Sequence, residues 1–81
     1  MTTATKDQLM ERVISALVEF GEEPESVKPD SRFEDLDIDS LDLVELAQVI
    51  EDEYGVEIQD KDMDGIETVQ NVVDFVAARQ S

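Results

Sequence analysis

The sequence predicts an all-α fold: a small up-down bundle of three long helices plus one short helix, with a long loop between the first and second helices. Three observations predict it. Apolar residues recur at helical spacing in three segments, Leu9 to Phe20, Leu41 to Ile50 and Val69 to Val76. The interiors of those segments contain neither Gly nor Pro, so local preference agrees with the pattern. Val56 and Ile58 are too few to make a strand with any partner in this chain. With 81 residues there is room for one domain. A domain of this size buries about 60% of the surface its unfolded chain exposes, so its margin of stability is thin. Residues 1–4 are expected to form a disordered tail and residues 5–81 the single domain.

Each element follows from local signals. Thr5 followed by Gln8 fits a capping box, and Leu9, Val13, Ala16, Leu17 and Phe20 then recur on one helical face up to Gly21, a C-cap. Glu22 to Asp37 contains Pro24 and Pro29 and shows neither helical nor strand period. It reads as a loop pinned by Val27, Phe33 and Leu36, and loops of that length are more often functional than not. The second helix opens around Asp39 or Ser40, takes its apolar face from Leu41, Val44, Leu46, Ala47 and Ile50, and closes at Tyr54-Gly55. Asp60 to Asp64 suits one helical turn ending at Gly65. Thr68 caps the last helix, with Val69, Val72, Val73 and Val76 on one face and Phe75 flanking it.

Composition excludes several kinds of chemistry. There is no cysteine, hence no disulfide framework and no thiolate metal site. There is no histidine either, so the commonest metal ligand and the commonest general base at neutral pH are missing. Acidic residues number 22 against 6 basic ones, for a formal net charge of -16. Such a surface repels nucleic acid and anionic lipid, attracts basic protein partners, and should be stabilised by salt. Acidity alone would suggest disorder, but 41% of residues are hydrophobic and periodically placed. The longest apolar run, Phe75 to Ala78, is far too short for a signal peptide core or a membrane span. The expectation is a soluble, cytoplasmic monomer with no nucleic-acid partner and no stable membrane insertion.

The segment Asp35-Leu36-Asp37-Ile38-Asp39-Ser40-Leu41-Asp42 lies where the long loop meets the second helix. Asp39 at the N-cap accepts a backbone N–H, and Asp42 in the first turn complements the helix dipole. Ser40 then stands at the first helical position with its hydroxyl pointing away from the helix end. Free N–H groups there favour a phosphate, while the surrounding carboxylates oppose a free anion. A covalently attached phosphodiester escapes that objection. No base other than a carboxylate is at hand to activate the hydroxyl, so any chemistry at Ser40 must be done by another enzyme. On the residues alone, an ordinary helix-start serine is the plainer reading.

Asp39-Ser40-Leu41-Asp42 followed by Val44-Glu45-Leu46 resembles the Asp-Ser-Leu motif of acyl carrier proteins and the helix after it. The resemblance continues through Tyr54-Gly55-Val56-Glu57-Ile58, the acidic turn, Ile66 and Thr68-Val69-Gln70, and covers Leu9 to Ala78 in all. It implies that Ser40 carries a covalent 4'-phosphopantetheine derived from coenzyme A, whose thiol holds acyl groups as thioesters for fatty acid or polyketide synthesis. It implies a carrier and not an enzyme, leaving peptidyl and D-alanyl carriers open, and a chain of 81 residues without a linker is expected to be of the freestanding type II kind. Its partners would be a phosphopantetheinyl transferase, ketosynthases and other acyl-processing enzymes with basic docking patches. Two positions depart from the family pattern: Asp37 replaces the usual glycine three residues before the serine, and Gln59 replaces the usual proline after Ile58. The run Asp37-Ile38-Asp39-Ser40 is similar to actinobacterial carriers of long-chain or mycolate-type synthesis.

From Glu34 to Asp64 the chain has thirteen acids against Lys61 alone. A solvated face is the plain explanation of such a run. In the family the second helix is the docking surface, and the resemblance assigns partner contact to Asp39, Leu41, Asp42, Glu45, Gln48, Glu51 and Asp52. Family members also sequester acyl chains inside the bundle. Leu46, Ile50, Ile58, Met63, Ile66, Val72 and Val76 are the candidates for such a channel, with plain core the simpler reading of most of them.

Three other classes compete. Asp60-Lys61-Asp62-Met63-Asp64-Gly65 matches the first half of a calcium-binding EF-hand loop, but its twelfth position is Asn71 where a Glu is required. Asp35, Asp37 and Asp39 repeat the spacing with Ser40 in place of the glycine and Leu46 at the twelfth position. Weak, unselective divalent binding is expected there, and no dedicated metal site. An acidic interaction module or nucleic-acid mimic accounts for the charge but leaves Asp39-Ser40-Leu41 unexplained. An independent enzyme is the weakest reading, given no histidine, no cysteine and no Gly-rich phosphate loop.

Overall fold

The computed structural model describes residues 4–36 and 38–80. Among them are four helices and no strand: α1 (Lys6–Glu19), α2 (Ser40–Tyr54), α3 (Asp60–Met63) and α4 (Val69–Arg79). The all-α architecture of three long helices and a short one is therefore the one the sequence predicts. Of the expected tail, Met1 to Thr3 lie outside the described residues. The Ala4 carbonyl accepts a hydrogen bond from the side-chain amide of Gln80, which joins the two ends of the fold.

α1 begins with the expected box. The Gln8 N–H donates to Thr5 Oγ1 at 3.1 Å, and the Thr5 N–H donates to Gln8 Oε1 at 2.9 Å. At its other end Phe20 is the C-cap and Gly21 follows with φ +116°. The Glu22 N–H bonds back to the Leu17 carbonyl at 3.1 Å and the Gly21 N–H to Val18 at 3.0 Å, the paired bonds of a Schellman ending. α2 ends on Gly55 at φ +71°. Both turns use glycine where a Cβ would strain the backbone.

The core is one cluster. Leu9, Val13, Ala16 and Leu17 of α1 meet Val69, Val72, Val73 and Val76 of α4, each no more than 2% exposed. Val27, Phe33, Leu46, Ile50 and Val56 complete it, and no polar side chain is buried among the described residues. A cluster so free of polar groups is held together by apolar burial, on the order of 25 cal/mol per Å² removed from water.

Two expectations are corrected. Leu41 and Val44 do not belong to the inward face of α2: they are 72% and 58% exposed. The inward stripe runs instead through Leu43, Leu46, Ala47 and Ile50, spaced i, i+3, i+4 and i+7, and the other two side chains point off to one side. The segment between α1 and α2 is also more structured than its lack of period suggested. It contains two single 3-10 turns, Pro24–Ser26 and Phe33–Asp35, and Val27 and Phe33 anchor it in the core as expected.

Candidate functional site

The loop that leads to Ser40 is tied to the start of α4. The Val69 N–H donates to the Ser31 carbonyl at 3.2 Å and the Gln70 N–H to the Pro29 carbonyl at 2.9 Å. In return the Phe33 N–H donates to the Glu67 carbonyl at 2.9 Å. Helices leave their first N–H groups without internal partners, and here the loop supplies partners for two of them. The Asn71 N–H is capped by Thr68 Oγ1 at 3.1 Å, while Asn71 Oδ1 accepts the N–H groups of Glu67 and Thr68, both at 3.0 Å. Arg32 reinforces the join with ion pairs to Glu34 at 3.1 Å and Glu67 at 3.7 Å. Being exposed, these contribute little each.

This join positions the segment that ends at Ser40. Leu36 and Ile38 are half-buried against the core; Asp37 lies outside the described residues. Asp39 caps α2, its Oδ1 accepting the Asp42 N–H at 3.0 Å while its carbonyl accepts the Leu43 N–H at 3.2 Å. Ser40 is the first residue of the helix and is exposed. Among the described residues that line the cleft it borders, the one titratable side chain is the Asp60 carboxylate, and no lysine or arginine stands there.

That cleft has a volume of about 190 Å³ and is lined by Ser40, Leu43, Val44, Asp60 and Met63. Adjoining it, and sharing Leu43 and Met63, is a smaller, partly open apolar void of about 10 Å³ bordered by Leu43, Leu46, Ala47, Ile58, Met63, Ile66 and Val72. Leu46, Ile58, Met63, Ile66 and Val72 were channel candidates from the sequence. Ile50 and Val76 were too, but they do not border the void: each is 1% exposed and packed within the core. Leu43 and Ala47 were missed, although their spacing from Leu46 and Ile50 is the helical signal that would have found them.

Along the outside of α2, Asp39, Leu41, Glu45, Gln48, Glu51 and Asp52 are exposed and Asp42 is half-buried. Gln48 Nε2 donates to Asp52 Oδ1 at 3.1 Å. Glu53 turns the other way and accepts from Arg12 Nε at 2.8 and 2.9 Å, with the Arg12 Nη2 at 2.6 Å. That hydrogen bonding holds the Glu53 carboxyl below its ordinary pKa and raises that of Arg12. Burial pushes the neighbouring Tyr54 phenol up.

The acidic turn is not shaped as a calcium loop. Asp60 and Asp62 lie within α3, Asp62 Oδ2 accepts the Gln59 N–H at 3.1 Å, and Asn71 is committed to α4's cap. Among the described residues no group of three acidic side chains converges as a metal ion would require. No helix among them is long and apolar enough to cross a membrane.

A phosphopantetheine arm fits this geometry. It needs an exposed hydroxyl as anchor and a mostly apolar surface with a few polar atoms beside it, and Ser40 with its cleft offers both. Residues 11–76 match the family described as phosphopantetheine attachment site. The chain is 41% identical over 73 residues to an acyl carrier protein of Thermosynechococcus vestitus, covering 88% of this chain and 90% of that protein. It is 46% identical over 72 residues to the meromycolate extension acyl carrier protein of Mycolicibacterium smegmatis, covering 82% of this chain and 73% of the relative. The chain belongs to the acyl carrier protein family, whose members are carriers that hold acyl groups on a covalent 4'-phosphopantetheine and present them to acyl-processing enzymes.

Proposed function

We propose that Ser40 is the attachment residue and that this chain acts as a non-catalytic carrier of acyl intermediates. The observation that carries this is an exposed serine at the first position of α2, inside the family's matched region and opening onto the 190 Å³ cleft. Asp39 orients the helix start by capping it, so the Ser40 hydroxyl projects from a rigid element and not from a free loop. With only carboxylates beside it, Ser40 forms its phosphodiester in the active site of a phosphopantetheinyl transferase, where the hydroxyl gives up its proton and attacks the pantetheine-bearing phosphorus of coenzyme A, breaking the pyrophosphate bond and releasing 3',5'-adenosine bisphosphate. When bound, the group supplies a terminal thiol that carries acyl chains as thioesters.

Asp39, Leu41, Asp42, Glu45, Gln48, Glu51 and Asp52 form the face read by basic patches on the transferase, ketosynthases and related enzymes. Support comes from their exposure and from the net charge of -16. Such a face acts on encounter rate and specificity more than on affinity, so partner binding should weaken with salt. Leu43, Leu46, Ala47, Ile58, Met63, Ile66 and Val72 are the interior available to the acyl chain. The protein works as a cytoplasmic monomer, and its likeness to the meromycolate extension carrier favours service in long-chain acyl synthesis.

The test is intact-protein mass after incubation with coenzyme A and a broad-specificity phosphopantetheinyl transferase. Wild type should gain one phosphopantetheinyl group and Ser40→Ala none, with helical circular dichroism equal in the two. A folded wild type that gains nothing, or a Ser40→Ala variant that is still loaded, rules the assignment out.

A further inference from the structure

Asn71 does not line the cleft at Ser40, yet its side chain fixes the peptide to which the loop before Ser40 is tied. The residue is half-buried, and its Oδ1 accepts two N–H groups at once, from Glu67 and Thr68, both at 3.0 Å. The Thr68 N–H and the Glu67 carbonyl belong to one planar peptide unit, so they point in opposite directions and can only rotate together. Asn71 grips one side of that plane. On the other side the Glu67 carbonyl accepts the Phe33 N–H at 2.9 Å. Phe33 opens the 3-10 turn Phe33–Asp35, in which the Asp35 N–H bonds to the Arg32 carbonyl at 3.0 Å and the Leu36 N–H to that of Phe33 at 3.2 Å. The next turn of chain after Leu36 reaches the Asp39 cap and Ser40.

We propose that Asn71 is a positioning residue for attachment at Ser40: by fixing the Glu67–Thr68 peptide it holds the loop, and with it the start of α2, in the orientation that a phosphopantetheinyl transferase captures. The inference rests on the reading of Ser40 as the attachment residue. The buried side chains of Val27 and Phe33 also pin the loop, but apolar burial is non-directional and sets only how deep the loop sits. Hydrogen bonds carry direction, and those of the join meet at residues 67–70, where the Val69 and Gln70 N–H groups reach the Ser31 and Pro29 carbonyls. Without Oδ1 the Glu67 and Thr68 N–H groups turn to water, and the peptide plane is free to rotate. Phe33 then loses a fixed acceptor, while Thr68 Oγ1 still caps α4 through the N–H of residue 71. A loosened Ser40 is correctly presented in only a fraction of molecules. Apparent affinity falls by that fraction, whereas a captured molecule reacts at the same rate, so the effect falls on KM and not on kcat. Aspartate offers the same acceptor oxygen, and leucine keeps the shape without it.

The experiment measures transfer from coenzyme A by a broad-specificity phosphopantetheinyl transferase to the full apo chain, as wild type, Asn71→Leu, Asn71→Asp and Val76→Ala. Val76 is buried in the core and takes no part in the join, so its truncation lowers stability alone. Circular dichroism confirms folding at the assay temperature, and amide hydrogen exchange by NMR reads the Phe33 N–H in the same proteins. Asn71→Leu should speed Phe33 exchange severalfold, raise KM for the carrier severalfold and leave kcat unchanged. Asn71→Asp should restore both, and Val76→Ala should keep the wild-type KM. If Asn71→Leu does not fold, Asn71→Ala, with its higher helix propensity, takes its place. An unchanged Phe33 exchange rate, or faster exchange with an unchanged KM, would overturn the proposal. So would a KM that rises equally in Val76→Ala or stays high in Asn71→Asp. A folded wild type that gains no mass would instead sink the attachment reading, and the positioning role with it.

Discussion

Helices α1 and α4 bury eight side chains between them, all at most 2% exposed, whereas α2, longer than either, buries two. α1 makes its most extensive contacts with α4 and far fewer with α2. One side of the bundle is buried throughout. The other leaves Leu41 and Val44 in solvent, a cleft beside Ser40 and a smaller void adjoining it. Stability and work are thus assigned to different pairs of helices. A carrier must present its anchor to many enzymes without unfolding, and a rigid α1–α4 pair lets α2 spend apolar residues on its surface.

The largest expected stability effect lies on the packed side. Leu17→Ala removes a fully buried side chain and should cost about 2–5 kcal/mol in urea denaturation followed by circular dichroism. A loss no larger than that of Leu41→Ala would break the comparison. Gly55→Ala comes next. A Cβ there meets nothing within 4 Å, so its cost, about 1 kcal/mol, is that of holding φ +71° with a side chain. Gly55→Asn should recover part of it.

The Arg12–Glu53 pair sharpens the comparison, because it links α1 to the far end of α2 from Ser40. Arg12 lowers the pKa of Glu53, so the folded state holds the carboxylate more strongly than the unfolded chain does. The pair's contribution is therefore complete above the ordinary carboxylate pKa and is lost as pH falls through the lowered folded value. Arg12→Ala should cost about 0.5–1 kcal/mol at neutral pH and flatten this part of the acid unfolding curve, less so in high salt. An unchanged acid curve would mean the pair contributes nothing measurable. The smallest stability effect belongs to Val44→Ser, within about 0.5 kcal/mol by thermal unfolding. The same substitution should slow acyl transfer to a partner synthase, and a normal rate would show that this apolar surface is not read.

Short-range chemistry made much of the fold legible. The Thr5–Gln8 box, the Asp39 and Thr68 caps and Gly55 each act within a few residues, and each occurs where the sequence predicts it. The inward stripe of α2 was not legible. Leu41, Leu43, Val44, Leu46, Ala47, Val49 and Ile50 cover most of the helix circumference, so several stripes fit the pattern equally well. In the sequence Asn71 counts only as the residue that spoils the calcium-loop match, whereas its work as a double acceptor at the α4 cap depends on where Glu67 and Thr68 stand.

By itself the sequence determined the helices, their caps, the buried valines of α4, the acidic charge and the serine at the start of α2. Those depend on residue type and on spacings within one or two turns. Tertiary structure alone decided which side of α2 faces inward, that Pro29 and Ser31 cap α4 from the loop, and that Leu43 and Met63 meet between cleft and void. Each of these joins residues 20 or more apart in sequence or chooses among faces that are equally apolar. Only packing against the rest of the core makes that choice.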